Sequence, residues 1–489
     1  MIIGIEVGGT FTDLVMAQSD GTLAVHKVPS TPSEPSIAAV QGLVELLALN
    51  KCEASAVSEL LHGSTIAANA LIQRRGARTV LLTTAGFRDV LFVQRQDKST
   101  VYDMFYQKPV PLIGRDDVYE VAERLGPAGE TILALSEAAL VEVVDRMVAE
   151  RNPESMAICF LHAYANPKHE QLARDVIARR HPNIRVSLSS DVSPEHREYE
   201  RTSTTVIDAY IGPAVERYLG LFGERAAEIG VASMPLIMQS NGGVVPLATA
   251  KRRAANMFVS GPAAAVTAAA QTARQEDILD VISVDIGGTS CDVCLIRGAM
   301  PQTTMKGTSE LNVDGLPLNV MMTDIVTIGA GGGSVASVDL GGKLRVGPHS
   351  AGADPGPACY GRGGTAFTLT DATVLLGVLD ATVPLPGDIR LQPQLAEAAA
   401  MPLAEQFGLT ALELADRVYK IAIANMAQAV RRVSVQRGYD PRDFALLPCG
   451  GAGPPIAAAL ANEVGMRTIL VPLHPGIFSA LGLAVADIR

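Results

Sequence analysis

Two short stretches carry the residues best suited to chemistry. Residues 6–13 read Glu6-Val7-Gly8-Gly9-Thr10-Phe11-Thr12-Asp13, and residues 285–292 read Asp285-Ile286-Gly287-Gly288-Thr289-Ser290-Cys291-Asp292. Laid over one another, acid falls on acid, Gly-Gly-Thr on Gly-Gly-Thr, and Asp13 on Asp292. Glycine lets the backbone turn tightly and approach a ligand closely. A carboxylate, free N–H groups and a hydroxyl at one turn suit a phosphate and its Mg2+ (or Mn2+). A third cluster, Pro448-Cys449-Gly450-Gly451-Ala452-Gly453-Pro454-Pro455, follows an apolar strand-like run and precedes an Ala-rich helix. Glycines between strand and helix are a common nucleotide-binding position.

The elements that must hold these residues are legible around them. Each acid-Gly-Gly-Thr copy reads as a β-hairpin: residues 2–7 and 14–16 flank the first turn, 281–286 and 293–296 the second. Two copies so far apart indicate two similar halves, not a short-period solenoid. Between them, strands at 80–84, 156–161 and 184–188 alternate with helical spacing at 136–150 and 170–180, which indicates an α/β domain. A helix over 202–230 is expected to break at Gly212-Pro213. A strand at 235–239 and a helix opened by Ser260-Gly261-Pro262 follow. The Gly-rich stretch 327–365 reads as ordered turns or as loops that close over a ligand.

Composition removes several classes of function. The chain has 489 residues, 48% of them hydrophobic, 4% aromatic, with a formal charge of −11. That apolar content excludes a disordered chain, and the length allows two to four domains. Acidity and few aromatics argue against nucleic acid and anionic membrane surfaces. No apolar run reaches a membrane span, and the first residues, already strand-like, show no secretory signal. Six scattered cysteines fit buried thiols in a cytoplasmic protein; Cys291-x-x-Cys294 lies on a strand, where residues three apart face opposite sides.

Other polar residues are weaker candidates. His62 could touch substrate or metal, or could be structural. Asp97, Tyr102 and Asp103 follow Arg95 where a substrate could approach. His349 with Asp354 could hold a divalent ion. No arrangement suggests a covalent nucleophile.

Three ordered motifs, two phosphate hairpins and a late glycine turn, resemble the actin/sugar kinase/Hsp70-type ATPases. Such a fold has two ribonuclease H-like α/β lobes facing across a nucleotide cleft. The wording of the chain is narrower. Gly8–Asp13, His62-Gly63-Ser64-Thr65, Thr83-Thr84-Ala85-Gly86-Phe87-Arg88-Asp89, Glu198-Tyr199-Glu200-Arg201, Ser260-Gly261-Pro262-Ala263, Thr370-Asp371-Ala372 and Arg437-Gly438-Tyr439-Asp440-Pro441 resemble the hydantoinase A/5-oxoprolinase family.

That resemblance implies residues 1–195 as an N-terminal lobe and 196–489 as the main region, with a further C-terminal domain beyond this chain. It implies ATP, Mg2+ or Mn2+, and a hydantoinase B-type partner. Gly8, Gly9, Thr10 and Thr12 would border the phosphates, Gly287, Gly288, Thr289 and Ser290 the opposite side, and Gly450, Gly451 and Gly453 the adenosine. Glu6, Asp285 and Asp13 would be the catalytic carboxylates. Asp285, with Glu6 and Asp292, would organise the metal. The implied reaction opens a hydantoin, 5-oxoproline or lactam by phosphorylating its carbonyl oxygen. A subunit of an acetone- or acetophenone-type ketone carboxylase, or a nucleotide-binding partner with reduced catalysis, are the alternatives. The chain departs from the family pattern in Glu6, usually Asp, in Cys291, usually Thr, and in Pro455-Ile456, usually Leu-His.

Overall fold

The computed structural model describes every residue except Thr10, Pro32, Asp97, Ser99, Thr100, 305–314, 386–388, Ile488 and Arg489. Two sheets built on the two hairpins organise the molecule. In the first, Ile2–Val7 pairs antiparallel with Phe11–Ala17, which pairs with Leu23–Pro29; on its other side Ile2–Val7 runs parallel to Glu59–Ser64. In the second, Val281–Ile286 pairs antiparallel with Cys291–Arg297 and parallel with Ala445–Cys449, and Ile325–Ile328 adds to Cys291–Arg297. The hairpins therefore occupy equivalent places in two sheets. Central strands are buried on both faces, as their near-continuous Val/Ile/Leu runs require.

A third sheet is inserted into the first half. Its parallel strands stand in the order Arg185–Leu188, Ser155–Cys159, Thr79–Thr84, Val118–Val121. Helices Glu137–Arg151 and Lys168–Arg180 carry Leu140, Val144, Val176 and Ile177 into its core. These strands and helices fall where the alternating pattern places them, except Val118–Val121, an edge strand that the pattern does not show.

The expected break at Gly212-Pro213 does not occur. Glu198–Glu228 is one helix of 31 residues with Pro213 inside it. Packing along its length outweighs the local cost of proline. Val206 and Ala209 join Leu81 and Ala157 of the inserted sheet, and Phe222 and Ala226 join Ile3, Ile5 and Leu60 of the first. At Gly212 the side chain of Arg185 lies against the helix, where a Cβ would stand 2.0 Å from its Nε. One helix thus ties the two sheets together.

The chain crosses between its halves more than once. Strands Leu236–Met238 and Val244–Pro246 complete the first sheet, well beyond residue 195. The final helix Phe478–Ala484 packs on Ile2–Val7 and on helix Ser260–Gln275. Its fit is tight: a Cβ on Gly4 would meet the Ala480 carbonyl oxygen at 2.4 Å, and one on Gly482 the Ala264 oxygen at 1.8 Å.

Candidate active site

Strand register sets the acids. Glu6 lies opposite Asp13, and Asp285 opposite Asp292. Each hairpin therefore presents a cross-strand pair of carboxyls beside its glycine turn. The pairs also feel each other: Asp285 raises the pKa of Glu6, and Asp13 that of Asp285. Four carboxyls meet where the two halves face.

Glu6 is the most deeply placed, 6% exposed. Its carboxyl lies over two glycines, where a Cβ on Gly63 would come within 2.1 Å of Oε2 and one on Gly261 within 2.4 Å of Oε1. Oε2 is buried and has no hydrogen-bond partner among the described residues. Burial first, then Asp13 and Asp285, push Glu6 up to about 8, so near neutral pH it keeps its proton. Asp285 is only partly buried, but desolvation, then Asp292 and Asp13, raise it to about 7. Asp13 is ion-paired with Lys27. Asp292 accepts from Thr327 and, at 3.3 Å, from Ser290.

The glycine turns are held from behind. Ser30 donates to the Gly8 carbonyl at 2.8 Å and shares a 3.0 Å contact with Thr12, whose side chain is fully buried. Thr12 thus braces the first turn, with Gly9 exposed beside it. Around the second turn, the N–H groups of Gly332 and Gly333 donate to the carbonyls of Gly287 and Gly288 at 3.0 and 2.7 Å. A Cβ on Gly331 would stand 2.7 Å from the Gly288 carbonyl carbon, so only glycine allows this approach. The late turn joins the same assembly. Ala452 N–H donates to the Ile286 carbonyl at 3.0 Å, and a Cβ on Gly450 would meet Asp285 Oδ1 at 2.4 Å.

Most of the expected site residues are therefore brought together: Glu6, Gly8, Gly9, Thr12 and Asp13 on one side; Gly287, Gly288, Thr289, Ser290 and Asp292 with Asp285 on the other; Gly450, Gly451 and Gly453 at the third corner. Thr10 lies outside the described residues. Sequence reasoning missed Lys27, Ser30, Gly261 as a seat for Glu6, and Thr327. Pairing across strands places Lys27 and Thr327, and only the alternation along residues 23–29 could have hinted at the first.

Three weaker candidates fall elsewhere. His62 is fully buried and structural: it bonds the Ile5 carbonyl and the Tyr218 hydroxyl and stacks on Phe222. Burial lowers it to about 4, so it stays neutral. His349 and Asp354 are exposed, and among the described residues no group of three His, Cys, Asp or Glu could by itself hold a metal. Tyr102 and Asp103 are exposed, and Asp97 lies outside the described residues. Nearby, Arg95, His196, Arg197, Glu198 and Glu200 line a cavity of about 450 Å³. At a rise of 1.5 Å per residue, Glu198 stands about 30 Å along its helix from Tyr218, the residue level with Glu6. The six cysteines are free thiols.

A cation would fit the hairpins if most of its ligands came from phosphate and water. The unpartnered Glu6 oxygen and the raised Asp285 carboxyl would both gain from a nearby positive charge, while the described residues offer too few side chains for a closed protein cage.

This pair of hairpin lobes is the two-lobed ATPase fold. The structure of an ATP-dependent caprolactamase from Pseudomonas jessenii superposes with a TM-score of 0.86 at 36% identity, covering 100% of this chain and 71% of that one. A nucleotide-free acetone carboxylase gives 0.84 at 26% identity, over 100% and 70%. Residues 201–489 match the hydantoinase/oxoprolinase family and residues 2–181 its N-terminal region, and the chain belongs to that family. It is 37% identical to caprolactamase subunit alpha of Pseudomonas jessenii over 100% of this chain and 70% of the relative. It is 34% identical to the acetophenone carboxylase gamma subunit of Aromatoleum aromaticum, over 99% and 68%. With 5-oxoprolinase of Saccharomyces cerevisiae it shares 30% identity over 99% of its length but only 41% of the relative. Among the described residues no helix is long and apolar enough to cross a membrane.

Proposed function

We propose that this chain is the ATP-using subunit of an enzyme that opens a cyclic amide (a hydantoin, 5-oxoproline or a lactam) together with a hydantoinase B-type partner. The observation that carries this reading is the meeting of two acid-paired glycine hairpins and the Gly450 turn. Family membership and the likeness to a caprolactamase subunit support it.

An amide carbonyl is a poor electrophile. Transfer of the terminal phosphoryl group of ATP to its oxygen, with release of ADP, makes the carbon open to water; the adduct then expels the ring nitrogen as the amine, and the acyl phosphate left behind is hydrolysed by a second water to carboxylate and phosphate. The work of the protein in such a step is alignment and charge neutralisation. Gly9 and Gly288, both exposed, would offer backbone N–H groups to phosphate oxygens, and the exposed Gly451 would border the nucleoside. Asp285, with Asp292 beside it, would hold Mg2+ or Mn2+, which supplies positive charge to the phosphates, while the protonated Glu6 lies alongside.

The test is ADP release from ATP and Mg2+ by the chain with and without its partner subunit, across hydantoin, 5-oxoproline and lactam substrates. Release that depends on one of them is expected. No stimulation by any of them would refute the reading. The likeness to acetone and acetophenone carboxylases supports a second reading, and ATP cleavage that needs both a ketone and bicarbonate would select it.

A further inference from the structure

The two hairpins differ in charge at one position of the same row. Across the first sheet, Glu6 pairs with Asp13 and Asp13 with Lys27. Across the second, Asp285 pairs with Asp292 and Asp292 with Thr327. The third place holds an ammonium in one lobe and a hydroxyl in the other. Lys27 is held on several sides. It is ion-paired with Asp13, lies 5.0 Å from the centre of the Phe11 ring, and donates to the Gly476 carbonyl at 3.5 Å.

That last contact leads to the other lobe. Gly476 belongs to the turn Pro475–Ile477, and the Pro475 carbonyl accepts the Gly450 N–H at 2.8 Å. Gly450 in turn packs against Asp285. The turn itself is anchored on the first sheet, because Ile477 and Ala480 pack with Val15. A path of direct contacts therefore runs Asp13, Lys27, Gly476, Pro475, Gly450, Asp285. It joins the acids of the two hairpins without crossing the space between them.

We propose that Lys27 is a positioning residue that fixes the first hairpin against the Gly450 turn, so that both phosphate loops and the nucleoside turn are aligned at once. This rests on the ATP-using reading above. An ammonium suits the task because it can serve a carboxylate and a carbonyl together, and its charge strengthens both bonds. Small misplacements of reacting groups cost about 100-fold in rate, so the loss should appear in turnover before affinity.

The experiment compares Lys27→Met and Lys27→Arg with wild type, in the full chain with its partner. ADP release gives kcat and the KM for ATP, calorimetry gives the affinity for ADP, and melting checks the fold. We expect Lys27→Met to lower kcat about 100-fold with KM and ADP affinity within about 3-fold, and Lys27→Arg to recover at least about 10-fold. A kcat for Lys27→Met within about 3-fold of wild type, or equal losses in Met and Arg, overturns the proposal. Should Lys27→Met fail to fold, Asp13→Asn/Lys27→Gln removes both charges of the pair. It should turn over at least about 10-fold more slowly than Asp13→Asn alone, and equal rates overturn the proposal. A wild-type complex that neither binds nor cleaves ATP would instead remove the reading beneath it.

Discussion

The two hairpins are one backbone device with two electrostatic settings. In both, register places an acid at the end of the first strand opposite an acid on the second. In the first lobe the outer acid is neutralised within the protein, by Lys27. In the second the outer acid is held by hydroxyls, which orient a carboxylate but do not cancel its charge. The inner acids differ as well. Glu6 is sealed over Gly63 and Gly261 and held near 8, whereas Asp285 keeps an open face and lies near 7. Four carboxyls this close cannot all ionise, and the most buried one keeps its proton. The first lobe is thus complete in charge, and the second has negative charge to offer a cation.

The sharpest way to break this contrast is to neutralise each inner acid in turn. Asp285→Asn should lower ATP-dependent ADP release by at least about 100-fold, the scale of a lost electrostatic group at a reacting phosphate. Glu6→Gln, which mimics the protonated acid, should cost less than about 10-fold at pH 7. The reverse order in steady-state assays would show that the first lobe carries the working charge.

Stability against pH sharpens the same point. Glu6 is raised from 4.5 to about 8, so the native state binds more protons than the unfolded chain between those values. Stability from this group is complete below about pH 4.5 and is lost as pH rises through about 8. The melting temperature of the ligand-free Glu6→Gln chain should therefore match wild type near pH 4.5 and exceed it increasingly toward pH 9. At about 1.4 kcal/mol per pKa unit, the gap is on the order of a few kcal/mol. A gap that does not change with pH would mean that Glu6 is ionised throughout.

The seat of Glu6 gives a somewhat smaller effect. Gly63→Ala places a methyl against Oε2, and overpacking of this kind costs about 1–3 kcal/mol. Shortening the acid should make room, so Glu6→Asp/Gly63→Ala should be more stable than Gly63→Ala alone. Additive losses in denaturant titrations would show that the glycine serves something other than the longer acid.

Much of this was legible in the residues because it is local. Acid-Gly-Gly-Thr between apolar runs encodes a hairpin, and the alternation between residues 80 and 188 encodes the inserted sheet. What escaped depends on which strands become neighbours. Lys27 becomes a partner of Asp13 only when Leu23–Pro29 pairs in register, and Thr327 reaches Asp292 only because Ile325–Ile328 joins the second hairpin. Gly261 lies in a helix remote in sequence from the acid it seats. Gly212-Pro213 misled for the converse reason. Local propensity favours a break there, and packing against two sheets decides otherwise.

Thr327 supplies the mildest test of the contrast. Its hydroxyl donates to Asp292, and it pairs with that residue across the strands. Valine keeps the shape and the strand preference while removing the donor. Because Thr327 is exposed, water can replace part of the lost bond, so Thr327→Val should cost about 1 kcal/mol or less in denaturant titrations. Turnover should fall only about 2–3-fold, since Ser290 still orients Asp292 and the charge of the row is unchanged. A loss comparable to that of Lys27→Met would mean that orientation, not the fixed cation, is what the third place of each row contributes.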